Sequence, residues 1–293
     1  MMGNKNALNE LFAPRHLPCE AFAHERSRLV RSTEVWRRLS RYADLLTALQ
    51  LKPQKESPLN RFVIFEGPPG TGKTMTAGAF SQDLAEGYRD HHACRTVFLT
   101  LRMSSFFSEM LGKTSKIIAE AFEMIAFAAA RQHVIVLADE LETLAFSRAR
   151  LSTGDPSDVV RGVNELLAQL DRLRTSANFL CIGTTNLGAS LDRALLDRAD
   201  FELHFPYPDV DVGLKILLQA ASDARHMKIR VAKDDLRLAA EELCAANNGA
   251  RPSGRLLAKL PLLTYLESRS ARITAREMIE VARHRLNGRE GMS

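Results

Sequence analysis

Gly67-Pro68-Pro69-Gly70-Thr71-Gly72-Lys73-Thr74, entered from the apolar run Phe62-Val63-Ile64-Phe65, is the stretch on which the fold turns. A buried strand, a glycine-rich turn and a helix start in that order form a phosphate-binding loop. Glycines let backbone N–H groups curl around phosphate oxygens, the lysine reaches the β and γ phosphates, and the Thr74 hydroxyl suits a magnesium ligand. A full eight-position match opening a helix is far more specific than a glycine-rich turn alone.

The second informative run is Val134-Ile135-Val136-Leu137-Ala138-Asp139-Glu140, a fully apolar strand ending in two acids. Continuous apolar strands belong to the middle of a parallel sheet, whose ligands sit beyond the carboxyl ends of the strands. Asp139 is thereby expected to hold Mg²⁺, and Glu140 to polarise the water that attacks the γ-phosphate. An Asp-Glu pair can also cap a following helix, but this one shares the chain with a complete phosphate loop.

Working outward, Met75 to Arg89 reads as a helix, Thr96 to Leu101 as a strand and Lys116 to Arg131 as an amphipathic helix. Ser157 to Leu173 is a further helix after the polar loop Ser152 to Pro156. Phe179-Leu180-Cys181-Ile182-Gly183-Thr184-Thr185-Asn186 is another buried strand with a polar tip. Val30 to Leu51 reads as helical structure leading to the nucleotide pocket. From Pro206 onward the strands stop, leaving helices at about 210–226, 233–248, 253–267 and 274–287. Repeated strand–helix crossovers predict a parallel sheet covered on both faces, followed by a separate helical domain.

Composition suits a soluble enzyme. The 293 residues are enough for one large domain and one small one. Cys19, Cys94, Cys181 and Cys244 lack metal-type spacing and are expected to be reduced thiols, as in the cytoplasm. The N-terminus has no basic-then-apolar leader pattern, and no apolar run approaches the roughly 18 residues that span a bilayer. Net charge is +5, with basic residues interleaved with acids, so a solvated surface is expected rather than a nucleic-acid groove.

With these motifs in this order, the chain resembles the AAA+ ATPases over nearly its whole length. The resemblance implies an α/β fold, a AAA+ P-loop core with a central parallel sheet plus a smaller α-helical lid. Residues 1–17 would be a short tail, 18–205 the nucleotide-binding domain and 206–293 the lid. Asn186 takes the place of the sensor of the γ-phosphate. In Leu191-Asp192-Arg193-Ala194-Leu195-Leu196-Asp197-Arg198-Ala199-Asp200, Arg198 is the candidate arginine finger, supplied to a neighbouring subunit of a homohexameric ring, with Arg193 as its rival. Ser253-Gly254-Arg255 resembles the second sensor, Arg255 touching phosphate within its own subunit and Arg251 being the nearby alternative.

Three segments point to a narrower kinship: residues 155–171, Asp197-Arg198-Ala199-Asp200, and Ser253 to Pro261 resemble the pachytene-checkpoint ATPases, which remodel HORMA-domain proteins. The compact chain resembles the bacterial branch of that family, associated with antiviral signalling. This resemblance implies ATP and Mg²⁺ as cofactors and a HORMA-domain partner whose N-terminal tail enters the ring's pore. A cyclic-nucleotide synthase is the indirect partner, with the ATPase as negative regulator. Met110 and Leu111 align with the first pore loop, where relatives carry an aromatic; Phe106 or Phe107 could contribute instead, and the loop around Arg148, Arg150 and Asp155 is a weaker second pore candidate. The competing classes are a nucleic-acid-associated loader, which needs a basic groove and a steep salt dependence, a generic protein unfoldase, and a nucleotide-gated scaffold with little turnover.

Overall fold

The computed structural model describes residues 12, 14–30, 33–51, 59–92, 95–103, 114–143, 156–176, 178–188, 191–245 and 250–290. They form two compact units. The first is drawn from Met1–Ser27, Glu34–Glu66 and Lys73–His204, the second from Arg28–Thr33, Gly67–Gly72 and Phe205–Ser293. The phosphate loop thus packs with the second unit by its own contacts, while the helix it opens belongs to the first.

The first unit is a six-stranded sheet ordered β1-β3-β4-β5-β2-β6. Its strands are β1 (Arg15–Leu17), β2 (Phe62–Glu66), β3 (Thr96–Arg102), β4 (His133–Asp139), β5 (Phe179–Thr185) and β6 (Phe201–His204). All neighbours run parallel except β1, which pairs antiparallel with β3 through Arg15↔Phe98 and Leu17↔Thr96. Residues 15–17, within the stretch expected as a tail, therefore form the sheet's edge. Leu17 is the apolar residue that turns inward there. β6 was also unforeseen: Phe201-Glu202-Leu203-His204 alternates about Leu203, a half-buried pattern that differs from the continuous apolar runs of the central strands.

Those central strands are β2, β4 and β5, and each is buried nearly end to end. The register pairs Phe65 with Thr184, Glu66 with Thr185 and Ala138 with Gly183. Three carboxyl ends consequently finish along one edge, delivering Glu66, Asp139 and Asn186 there. Helices α1 (Glu20–Arg28), α2 (Thr33–Leu51), α3 (Lys73–His92), α4 (Thr114–Ala129), α5 (Pro156–Leu173) and the short α6 (Arg193–Leu196) accompany the sheet. α4 buries Ile118, Ala121, Phe122, Ile125 and Ala129, the spacing of one helix face. It meets α5 closely because Gly162 has no side chain: a Cβ there would stand 2.8 Å from the Thr114 methyl.

The second unit carries α7 (Val210–Ala224), a 3-10 turn (Arg225–Met227), α8 (Lys233–Cys244), α9 (Gly254–Ser268) and α10 (Ala275–Glu290). Its core gathers Leu217, Ala239, Ala240, Leu257, Leu260 and Met278, all fully or almost fully buried. The expectation that strands stop after residue 206 needs amending. β7 (Arg230–Val231) and β8 (Arg272–Ile273) pair in parallel, too short to leave a periodic signal. Cys19, Cys181 and Cys244 are free thiols; burial pushes Cys181 up to about 12 and Cys244 to about 11, so neither is a ready nucleophile. Among the described residues, no helix is long and apolar enough to cross a membrane.

One polar clasp ties distant parts of the first unit together. The Asp200 carboxylate accepts from the Tyr42 hydroxyl at 2.6 Å, from the Asn60 N–H at 2.7 Å and from the Arg61 N–H at 2.9 Å. Burial, followed by the Asp200 charge, drives the Tyr42 hydroxyl far above its ordinary pKa, so it stays a donor. Tyr42→Phe is expected to cost about 1–2 kcal/mol, because the half-buried Asp200 carboxylate loses a hydrogen-bond donor. A urea titration of the two proteins checks this, and equal midpoints would remove the clasp from the account.

Candidate functional site

In the second unit, the loop between β2 and α3 takes a shape that only glycine adopts readily. Gly67, Gly70 and Gly72 have φ of 143°, 77° and 97°. Gly67 has a second requirement, since a Cβ would lie 2.2 Å from the Phe205 carbonyl oxygen. Pro68 and Pro69 stiffen the turn, and the Thr71 hydroxyl donates to the Pro68 carbonyl at 2.9 Å. The start of α9 buttresses this loop. Ser253 caps the helix by accepting from the Leu256 N–H at 3.2 Å, while the Arg255 N–H donates to the Gly70 carbonyl at 3.1 Å.

The two lid arginines differ in what they hold. Arg251 donates to the carbonyls of Pro208 at 2.8 Å and Cys244 at 3.1 Å, bonds internal to the unit. Arg255 is exposed, and its guanidinium makes no hydrogen bond or ion pair among the described residues. Of the two, it is the one whose guanidinium is not held by carbonyls of its own unit.

In the first unit, Lys73 opens α3 almost fully buried, and its ammonium donates to the Asn186 side-chain oxygen at 2.9 Å. Thr74, next in the helix, is exposed. The Asn186 amide nitrogen donates to Glu142 at 2.6 Å, and the Asn186 N–H reaches the other Glu142 oxygen at 3.2 Å. Beside them the Thr184 hydroxyl donates to the Asp139 carboxylate, and the Glu140 N–H reaches the Thr184 hydroxyl oxygen at 3.4 Å. Glu140 sits at φ 63°, in the left-handed region, with its side chain exposed. A non-glycine residue in that region is strained, and such strain gathers at functional sites. Asp139 is half-buried and tied; Glu140 is turned out.

Lys73 at the start of α3 is thus joined to Asn186 at the end of β5, and Asp139 ends the neighbouring β4 with Glu140 following it. Arg198 is elsewhere. Its guanidinium makes a bidentate pair with Asp171 of α5, at 3.0 and 2.8 Å, and donates to the Ala194 carbonyl at 3.0 Å. The hydrogen bond to Asp171 raises its pKa further, so it is a permanent cation. Arg193 is exposed, and its guanidinium makes no hydrogen bond or ion pair among the described residues. Met110 and Leu111, like Phe106, Phe107, Arg148, Arg150 and Asp155, lie outside the described residues. Two residues escaped the sequence reading, Thr184 and Glu142. Thr184 hides within an apolar strand, whereas Glu142 had a signal in the run Asp139-Glu140-Leu141-Glu142, two positions beyond the second acid.

The donors fit magnesium in kind. A hydroxyl at Thr74 and one carboxylate at Asp139 are hard oxygen ligands, too few for an all-protein cage but suited to an ion that keeps waters and phosphate oxygens.

The ATPase family associated with various cellular activities (AAA) matches residues 63–207. The putative pachytene checkpoint protein 2 of Caenorhabditis elegans is 31% identical over 279 residues, covering 88% of this chain and 66% of the relative. CD-NTase-associated protein 6 of Pseudomonas aeruginosa is 36% identical over 164 residues, covering 55% of this chain and 53% of that protein. The chain therefore spans less than two thirds of the length of these curated relatives. A chain of the solved E. coli MS115-1 HORMA:CdnC:Trip13 complex superposes with a TM-score of 0.75 at 19% identity, covering 94% of this chain and 96% of that one.

Gly67→Ala tests the loop directly. The added Cβ forces the Phe205 carbonyl away and strains a φ that alanine avoids, so a fluorescent ATP analogue is expected to bind at least tenfold more weakly. Binding at wild-type strength would mean that the loop does not carry the phosphate.

Proposed function

Since this chain belongs to the AAA ATPases, with pachytene checkpoint protein 2 and CD-NTase-associated protein 6 among its relatives, we propose that it hydrolyses ATP to remodel a HORMA-domain protein. The observation that carries the reading is the buried Lys73 ammonium joined to Asn186 at the end of β5, next to the strand that ends in Asp139. The solved HORMA:CdnC:Trip13 complex with the same fold supports the partner's chemistry.

Backbone N–H groups of Gly70 to Lys73 receive the phosphates, and Lys73 neutralises the β and γ oxygens. Glu140 accepts the proton of the attacking water as its oxygen bonds to the γ-phosphorus and the β–γ bridging bond breaks, leaving ADP and phosphate. Magnesium, held by Thr74 and Asp139, supplies charge neutralisation on the phosphates when bound. Asn186 sits against Lys73, where loss of the γ-phosphate alters the ammonium's partners. Arg255 follows the nucleotide through the loop it buttresses. Arg198 serves a neighbouring subunit, which requires a closed homohexameric ring, and it leaves Asp171 to do so. Met110 and Leu111 grip the HORMA partner's N-terminal tail in the pore, the adaptable methionine replacing an aromatic. The remodelled partner releases the cyclic-nucleotide synthase, making the ATPase a cytoplasmic negative regulator of antiviral signalling.

Glu140→Gln is expected to bind ATP and retain the HORMA protein on a pull-down while turnover falls at least a hundredfold. Fast hydrolysis by this variant would remove Glu140 from its role. Arg198→Ala is expected to be inactive alone and partly restored by mixing with Glu140→Gln subunits, since each supplies what the other lacks. Mixtures that stay inactive at every ratio would sink the trans-acting assignment.

A further inference from the structure

Glu142 is a carboxylate with 7% exposure and no ion pair among the described residues. Burying such a group is costly unless it is hydrogen-bonded. Among the described residues its hydrogen bonds both go to one residue: the Asn186 main-chain N–H at 3.2 Å and the Asn186 amide nitrogen at 2.6 Å. Asn186 in turn meets Lys73 with its side-chain oxygen at 2.9 Å. The three groups make a line of carboxylate, amide and ammonium.

The order of that line is chemically forced. An asparagine amide donates from its nitrogen and accepts at its oxygen, and an ionised carboxylate only accepts. With Glu142 against one end, the nitrogen must face it and the oxygen must face away, toward Lys73. Without Glu142 either end of the amide could point at the ammonium. An outward nitrogen would set donor against donor, and Lys73 would lose the Asn186 oxygen as an acceptor. The second bond, to the main chain, fixes the tip of β5 as well as the side chain.

We infer that Glu142 is a positioning residue for the hydrolysis: it sets the orientation of Asn186 and, through Asn186, the resting place of the Lys73 ammonium. The inference rests on the ATPase reading above. It adds that the γ-phosphate is sensed along the line, through Lys73, because the face that Asn186 turns to the ammonium is an acceptor and does not attract phosphate oxygen.

The test is a double-mutant cycle on the full chain with Glu142→Gln, Asn186→Ala and their combination. Steady-state kcat and KM for ATP, melting temperature and affinity for a fluorescent ADP analogue are read for each protein. Glutamine is isosteric and removes a buried charge, so melting within a few degrees of wild type is expected. A displaced contact of this kind is expected to lower kcat by between about tenfold and a hundredfold, with ADP affinity little changed. Because Glu142 acts through Asn186, adding Glu142→Gln to Asn186→Ala should lower kcat no further.

Wild-type kcat in Glu142→Gln, or effects that multiply in the double variant, would overturn the proposal. So would a large fall in melting temperature with loss of ADP binding, which marks a structural residue. If the wild-type chain does not turn over ATP, the function reading fails, and the ratio of ATP-analogue to ADP-analogue affinity still decides. A ratio that drops equally in Glu142→Gln, Asn186→Ala and the double variant upholds the line, and an unchanged ratio in Glu142→Gln refutes it.

Discussion

A lysine ammonium held almost out of water must be surrounded by acceptors, and the first unit is arranged to provide them. Lys73 stands at the head of α3, where backbone N–H groups already concentrate positive potential. A second cation end there is tolerable because β4 and β5 run parallel and finish side by side, bringing Asp139 and Asn186 to the same edge. Each of these is itself tied, Asp139 to Thr184 and Asn186 to Glu142. The arrangement is a positive centre met by an amide oxygen that Glu142 holds in place, with Asp139 at the end of the neighbouring strand.

Much of this was legible in the chain alone, and the reason is local chemistry. The phosphate loop needs glycine at set positions, and Gly67, Gly70 and Gly72 indeed take the backbone angles that such a loop demands. β4 and β5 are buried on both faces, so their signal was an uninterrupted apolar run rather than an alternation. What was missed depends on pairing at a distance. β1 is a strand only because β3 offers it an edge, and β7 and β8 exist only as partners of each other. Thr184 reads as strand filler until its hydroxyl is seen against Asp139. Asp171 is one more polar position on an amphipathic helix until Arg198 closes on it.

The two lid arginines show how structure separates candidates that spacing cannot. Arg251 and Arg255 lie four residues apart, and either could be proposed for phosphate. The carbonyls of Pro208 and Cys244 occupy the first and leave the second open. Arg198 poses the opposite case, a cation engaged in its own unit, and the proposed trans role requires it to exchange Asp171 for a neighbour's phosphate. The pair is bidentate and partly exposed, so water reaches both partners.

The central claim is that ATP turnover is coupled to a protein of the HORMA class. It is tested most directly by steady-state ATPase activity of the full chain with a HORMA-domain protein encoded beside its gene, and in parallel with duplex and single-stranded DNA. The account predicts stimulation by the HORMA protein that vanishes when its N-terminal tail is trimmed, and none by DNA. Stimulation by DNA with indifference to the HORMA protein would contradict it.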